Sequence, residues 1–383
     1  MSLHTWEEPQ NTQLTRANER FAPTASLIQS ARPTTSGIVI ALIPAHNEEG
    51  QIGGAIRSLQ EQDAPPDLVV VCADNCTDGT ALEAVEAGAY VFETVTNEHK
   101  KAGALNQALA ELLPELADTD AVLVMDADSV LAPTFVSIAR AHLRSDVGGV
   151  GGVFTGRPGG GFVGMLQRNE YARYARDVTR QKGKVLVLTG TATLFSAGTL
   201  RHVAWARSEG LLPGGSLQVY DTAVLTEDNE LTLALLHLGY TVTSPEGCRL
   251  TTEVMESWGD LYRQRLRWKR GAIENLFDYG LTRVTVRYWL RQLMTLLGIV
   301  VTLAYLVSLG VSLAADGAIQ VHPLWMAVTG IFIAERVVTV RSRGALQMLF
   351  AAVLLVEMTF DVFLQLVHAR AIWDSVRRTE RGW

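Results

Sequence analysis

The sequence predicts an open α/β sheet that leads into apolar helices, and three observations carry that prediction. Residues 38–43, 68–72 and 121–125 are continuous apolar runs, as expected of parallel strands covered on both faces. Helical stretches separate these runs, and alternating strands and helices argue for an open sheet with helices packed on it. The excess apolar character, 48% hydrophobic residues with a mean hydropathy of +0.15, lies after Leu290.

The first strand, 38–43, runs into Pro44-Ala45-His46-Asn47-Glu48-Glu49, and a helix is expected from there to about Gln62. The second strand delivers Asp74-Asn75-Cys76-Thr77-Asp78, and the third delivers Asp126-Ala127-Asp128. Ligands of open α/β sheets bind outside the carboxyl ends of the strands. One crevice is therefore expected to collect Pro44, Glu48, Asp74, Asp126 and Asp128. The later part is less regular. Residues 185–188 lead into Thr189-Gly190-Thr191-Ala192-Thr193, Thr226-Glu227-Asp228 opens a helix through about Leu238, and 257–276 reads as another helix. Residues 1–36, rich in Thr, Asn, Gln and Arg, are expected to be a flexible arm.

Composition bounds the function. At 383 residues the chain accommodates one large domain and a smaller unit. A net charge of -7 with pI near 5.7 gives no electrostatic footprint for nucleic acid. Cys72, Cys76 and Cys248 suggest neither a disulfide framework nor a zinc site, and reduced core thiols favour a cytosolic catalytic domain. No secretory signal is expected at the start.

Residues 293–315 are 23 positions without a charge, long enough to cross a bilayer. Residues 318–334 are a shorter returning span. Residues 345–367 are ambiguous, because Glu357, Asp361 and Gln365 put a polar stripe on one helix face. Arg283, Arg287 and Arg291 precede the first span, and Arg336, Arg341 and Arg343 follow the second. Both groups are cytoplasmic if the spans form a hairpin. The third segment is then expected to be interfacial or buried in an oligomer, with both chain ends in the cytosol.

The motifs suit transfer of a sugar from a nucleoside diphosphate. Departure of the diphosphate is helped by a hard divalent cation, which prefers carboxylate oxygen. Asp126 and Asp128 suit that cation, although a lone Asp-x-Asp is also common in solvated turns. Asp74 can accept a hydrogen bond from the imide of uracil, and Lys100 and Lys101 can reach phosphate. An acceptor hydroxyl needs a base, for which Asp228 is the best candidate and Glu227 the neighbouring one. The helix start is expected to keep Asp228 ionised. Gln264, Arg267, Trp268 and Gly271 share one helix face, with Arg265 and Lys269 turned aside. There the guanidinium of Arg267 can fork onto phosphate, and the indole offers a sugar an apolar platform. A basic amphipathic helix lying on lipid is the rival reading.

With these motifs in order, the chain resembles the family 2 glycosyltransferases, in particular the membrane-integrated branch of cellulose, chitin, hyaluronan and poly-N-acetylglucosamine synthases. The match runs from about Ile38 to Phe277. The resemblance implies a GT-A fold over 37–280, a UDP-sugar donor, Mg or Mn, and inverting transfer. It makes Asp74 the uracil contact, Asp126 the nucleotide-side carboxylate, Asp128 the metal ligand and Asp228 the base. Gln264, Arg267 and Trp268 resemble the motif that holds pyrophosphate and acceptor, and Gly190-Thr191-Ala192 the acceptor loop. Residues 281–383 are expected to hold an interfacial helix, the membrane helices and a cytosolic tail. Two or three spans are fewer than the polymerising synthases use for a channel. That favours a lipid-linked, glycan or protein acceptor at the cytoplasmic face over export-coupled polymerisation, unless a homo-oligomer forms the pore. A sugar nucleotidyltransferase is the rival enzyme, but the loop from Pro44 to Glu49 is acidic where that class has a basic Gly-rich one.

Overall fold

A computed structural model describes residues 28, 30, 31, 37–316 and 323–380. The arm expected over 1–36 therefore lies outside the described residues, apart from those three positions. The chain divides into two compact units. One takes the residues up to Thr155 with Val178–Ala223 and Glu227–Glu253; the other takes Gly156–Asp177, Val224–Thr226 and the chain from Val254 onward.

The first unit is built on a seven-stranded sheet. Its parallel half comprises β1 (Val39–Ala45), β2 (Leu68–Ala73), β3 (Tyr90–Glu93) and β4 (Ala121–Met125), in the order β3-β2-β1-β4. Every residue of β1 and β4 is buried, which is why these strands are continuous apolar runs rather than alternating ones. Helices α1 (Ile52–Gln60), α2 (Thr80–Glu86) and α3 (Lys100–Leu112) connect them. After β5 (Val130–Leu131) and α4 (Phe135–His142) come β6 (Val147–Gly151) and β7 (Val153–Gly156).

The sheet then departs from an all-parallel expectation. Strand β8 (Ala192–Ser196) lies antiparallel to β4, with Met125 opposite Ala192, and β6 lies antiparallel on its far side. Helices α6 (Ala197–Ser208) and α7 (Glu227–His237) and strand β9 (Thr241–Thr243), parallel to β6, complete this part. Strand β10 (Arg249–Thr252) joins β5 and β7 in a second, three-stranded sheet.

The second unit contains α5 (Gly161–Arg180) and α8 (Trp258–Tyr279), then α9 (Val286–Asp316), α10 (Pro323–Val340), α11 (Ala345–Ala352) and α12 (Leu354–Arg377). Sequence reading draws a boundary at 280, whereas α8 packs along α12 through Leu266, Ile273, Val367 and Ala371. Among the described residues, one helix is long and apolar enough to cross a bilayer. It is α9 over Val286–Ala315, and its most apolar 18-residue window has no residue buried within the protein. Arg287 and Arg291 lie in its first turns. The second expected span, 318–334, begins outside the described residues and otherwise falls within α10.

The ambiguous third segment is broken at Val353 between α11 and α12. Its polar stripe faces protein of its own chain. Glu357, only 2% exposed, accepts from Asn169 at 3.1 Å, Arg173 at 2.9 Å and Arg336 at 2.5 Å, and Arg336 also reaches Asp361 at 2.5 Å. Sequence alone left a partner copy as one way to cover this stripe; within the chain, Glu357 and Asp361 are met by arginines.

Candidate active site

The turns that leave β1 and β2 are stitched to each other. Asn47 Oδ1 accepts from the Thr77 amide at 2.8 Å, Glu49 Oε2 from Gly79 at 3.0 Å, and Thr80 Oγ1 from Glu48 at 2.7 Å. Asn47 and Asn75 adopt positive φ, 56° and 48°, a conformation that Asn tolerates better than most residues. Pro44 differs from the expectation. It lies inside β1, buried and opposite Cys72, so it presents no surface to a ligand, and the exposed part of this motif starts at His46.

Asp74 is buried at the end of β2, and one of its oxygens, Oδ1, collects three donors. These are Thr94 Oγ1 and Asn97 Nδ2, each at 2.8 Å, and Asn75 Nδ2 at 3.1 Å. Sequence reading did not find Thr94 or Asn97, because nothing in their local pattern reveals contact with a distant strand end.

Pairing of β4 with β8 assembles the next group. Since Met125 faces Ala192, Asp126 comes next to Thr191, whose carbonyl accepts the Asp126 amide at 3.1 Å. The Lys101 ammonium lies 2.5 Å from Asp126 Oδ1 and 3.1 Å from Glu227 Oε1. The Gly190 amide donates to Asp228 Oδ2 at 2.9 Å, and the Asn229 amide donates to Oδ1 at 2.7 Å. A Cβ on Gly190 would sit 3.0 Å from Lys101 Nζ, so a larger residue there would push the ammonium aside by a few tenths of an ångström. Lys101, Asp126, Gly190, Thr191, Glu227 and Asp228 are thus brought together, with Lys101 as the shared counter-ion.

Electrostatics follow from that crowding. Burial pushes Lys101 down, but Asp126, Glu227 and Asp228 outweigh it and hold the ammonium above its ordinary value. Burial and then Glu227 push the Asp228 carboxyl up to about 6, against Lys101 and the two backbone amides. The helix start alone, expected to keep this group readily ionised, is outweighed by desolvation. A carboxylate held near 6 is well matched to taking a proton around neutral pH.

The acidic edge of the unit gathers Glu48, Asp128 and Glu253. Thr252 on β10 places its hydroxyl 3.3 Å from Asp128 Oδ1, because β10 pairs with β5 just beyond the Asp-x-Asp turn. Burial, then Asp128, Glu253 and Asp126, push Glu48 up to about 7. Negative charge is therefore in excess here, and all the donor atoms are oxygen, as Mg or Mn requires. Among the described residues no three His, Cys, Asp or Glu side chains form a closed cage. Asp126 carries Lys101, and Asp128 accepts from the Ser129 and Thr252 hydroxyls, each at 3.3 Å.

In the second unit, Gln264, Arg265 and Trp268 form a group with Glu170 of α5. Arg265 donates to Gln264 Oε1 and to Glu170 Oε2, each at 2.7 Å, and its guanidinium stands 4.3 Å from the Trp268 ring centroid. This corrects the helical-wheel expectation. Arg265 is 1% exposed and stacks on Trp268, whereas Arg267 is exposed. Positions i and i+3 are neighbours on a helix, and Glu170 draws the long Arg265 side chain across to that face.

Residues 36–271 match the model of the family described as glycosyltransferase like family 2. The chain is 25% identical over 280 residues to a poly-beta-1,6-N-acetyl-D-glucosamine synthase of Staphylococcus aureus, covering 69% of this chain and 63% of that protein. It is 26% identical over 278 residues to the protein of that name in Staphylococcus epidermidis, covering 70% and 62%. The chain thus spans less than two thirds of the length of these curated relatives. A mannosyltransferase from Pyrobaculum calidifontis, solved in complex with GDP-Man and Mn2+, shares the fold, with TM-score 0.59, 17% identity and 97% of each chain covered.

Proposed function

We propose that this chain, which belongs to the family 2 glycosyltransferases, is an inverting, divalent-metal-dependent transferase that moves a sugar from a UDP-sugar to a membrane-associated acceptor. The observation that carries the proposal is the group around Lys101. One ammonium neutralises Asp126, at the end of a central strand, and Glu227, beside Asp228 at the start of α7.

In this reading Asp74 receives the nucleobase and Glu48 borders the donor. Asp128, with Asp126, would hold Mg or Mn, which supplies positive charge to the diphosphate as it leaves. Asp228 takes the proton of the attacking acceptor hydroxyl, and its two backbone donors aim the carboxylate without a side-chain rearrangement. Glu227 and Lys101 set the charge around that base. Gly190 and Thr191 line the acceptor side. Gln264 and Trp268 hold the acceptor sugar, and Arg267 meets the diphosphate.

Helix α9 supports an integral membrane protein. Arg287 and Arg291 in its first turns, together with Arg283, fit a catalytic part on the cytosolic side. The acceptor is then a lipid-linked species, a glycan or a protein presented at that surface. The name of the Staphylococcus aureus relative supports a second reading, in which the acceptor is the growing end of a polysaccharide.

The proposal is tested by incubating membranes containing the protein with labelled UDP-sugars and Mn2+ and following released UDP and labelled lipid or polymer. UDP release that EDTA abolishes is expected with at least one donor. Transfer that continues in excess EDTA would refute the metal-dependent mechanism.

A further inference from the structure

We infer that Thr94 and Asn97 make the chain selective for uracil over guanine by saturating one oxygen of Asp74 and leaving the other as a single acceptor. The inference rests on the reading that Asp74 receives the donor's base. A carboxylate oxygen has two lone pairs. Asp74 Oδ1 already accepts from Thr94, Asn97 and Asn75, while Oδ2 accepts from no described residue. Uracil presents one imide N–H between two carbonyls, which one free oxygen satisfies. Guanine presents a ring N–H beside an exocyclic amine, a pair of donors that suits both oxygens of a carboxylate. With Oδ1 occupied, guanine keeps one donor unpaired, and an unmade hydrogen bond in a desolvated site is costly.

The clamp is fixed from behind. Asn97 Nδ2 gives its second hydrogen to the Lys100 carbonyl at 2.8 Å, and Asn97 Oδ1 accepts the His99 amide at 3.0 Å. A Cβ on Gly103 would lie 2.0 Å from that Oδ1, so glycine at 103 makes room for the amide on the first turn of α3. Asn75 Nδ2 also reaches the Asn97 carbonyl at 3.0 Å. The Asn97 side chain therefore cannot swing away to admit a second donor at Oδ1 without breaking bonds at the helix start.

The experiment measures displacement of labelled UDP by UDP and by GDP from the detergent-solubilised full chain with Mn2+. Wild type, the double variants Thr94→Val/Asn97→Ala and Thr94→Val/Asn75→Gly, and Asp74→Ala are compared, with melting curves for each, because any one of the three donors can be lost while the other two still fill both lone pairs of Oδ1. Wild type is expected to prefer UDP by at least about tenfold, and each double clamp variant to lose most of that ratio. Should Thr94→Val/Asn97→Ala fail to fold, Thr94→Val/Asn75→Gly decides. No UDP preference in wild type, or an unchanged ratio in the folded clamp variants while Asp74→Ala weakens UDP, overturns the inference. If Asp74→Ala leaves both affinities unchanged, the underlying reading of Asp74 fails, and the inference with it.

Discussion

In the first unit, Lys101 stands among Asp126, Glu227 and Asp228, one cation against three carboxylates, and Asp128, Glu253 and Asp126 add to burial in pushing Glu48 up. In the second unit, Glu357 and Asp361 meet Arg173 and Arg336, two anions against two cations, with Asn169 filling a remaining acceptor position. Both groups are at least partly buried, so the difference lies in how completely charge is matched. A matched network has little to gain from a ligand and serves to hold helices together. An under-neutralised one holds carboxyls near 6 and 7, ready for a proton or a cation.

That contrast can be broken by substitution. Glu357→Ala strands Arg173 and leaves Arg336 with Asp361 alone, and removing one partner of a buried pair costs about 3–5 kcal/mol. A large drop in melting temperature is expected, with UDP affinity unchanged in the protein that stays folded. Full stability with lost affinity would make this network part of the ligand machinery instead.

Lys101→Met should act on turnover as well as stability, because Asp126 and Glu227 lose their shared cation. Turnover is expected to fall on the order of 10² or more in the protein that stays folded, as when one preorganised charge is removed from a reacting centre. Turnover within a factor of three of wild type would show that Lys101 only fills space.

A smaller effect sharpens the roles within α8. Arg265→Ala removes the cation stacked on Trp268, an interaction of about 1–2 kcal/mol when desolvated. Transfer to acceptor should drop by about tenfold, with hydrolysis of the donor by water less affected. Arg267→Ala should depress both reactions equally. Identical profiles for the two variants would contradict the separate roles.

Much of the first unit is legible along the chain, because its motifs follow fully buried strands whose apolar runs need no context to recognise. β6, with the sequence Val-Gly-Gly-Val-Gly, carries too little side chain to give a pattern, and the short β5 and β9 give none either. The acidic motifs and Lys101 could be named for a similar reason, since each sits directly after a strand or at a helix start, whereas Gln264 to Trp268 lies within α8. Their supports could not. Asn97 holds Asp74, Thr252 meets Asp128 and Glu170 holds Arg265. Each of these contacts depends on chain crossings that local periodicity does not encode. Arg265 misled the helical-wheel reading because a wheel places Cα positions, while a long side chain goes where its counter-ion is.

Asp228 acts as an ionised base in the proposed mechanism, and the direct measurement of that role is the pH dependence of kcat in wild type beside turnover and UDP-sugar affinity in Asp228→Asn. A carboxyl raised above its ordinary value binds its proton more tightly in the folded chain. Its ionised form therefore subtracts from stability above about pH 6, and that deficit is relieved on acidification. Activity needs the ionised form, so kcat should fall as pH drops through about 6. Asp228→Asn should lose turnover by a factor on the order of 10² to 10⁴, abolish that acidic limb, and bind UDP-sugar at close to the wild-type affinity. Loss of donor binding together with turnover, or an acidic limb that persists in Asp228→Asn, would contradict the assignment of Asp228 as the base.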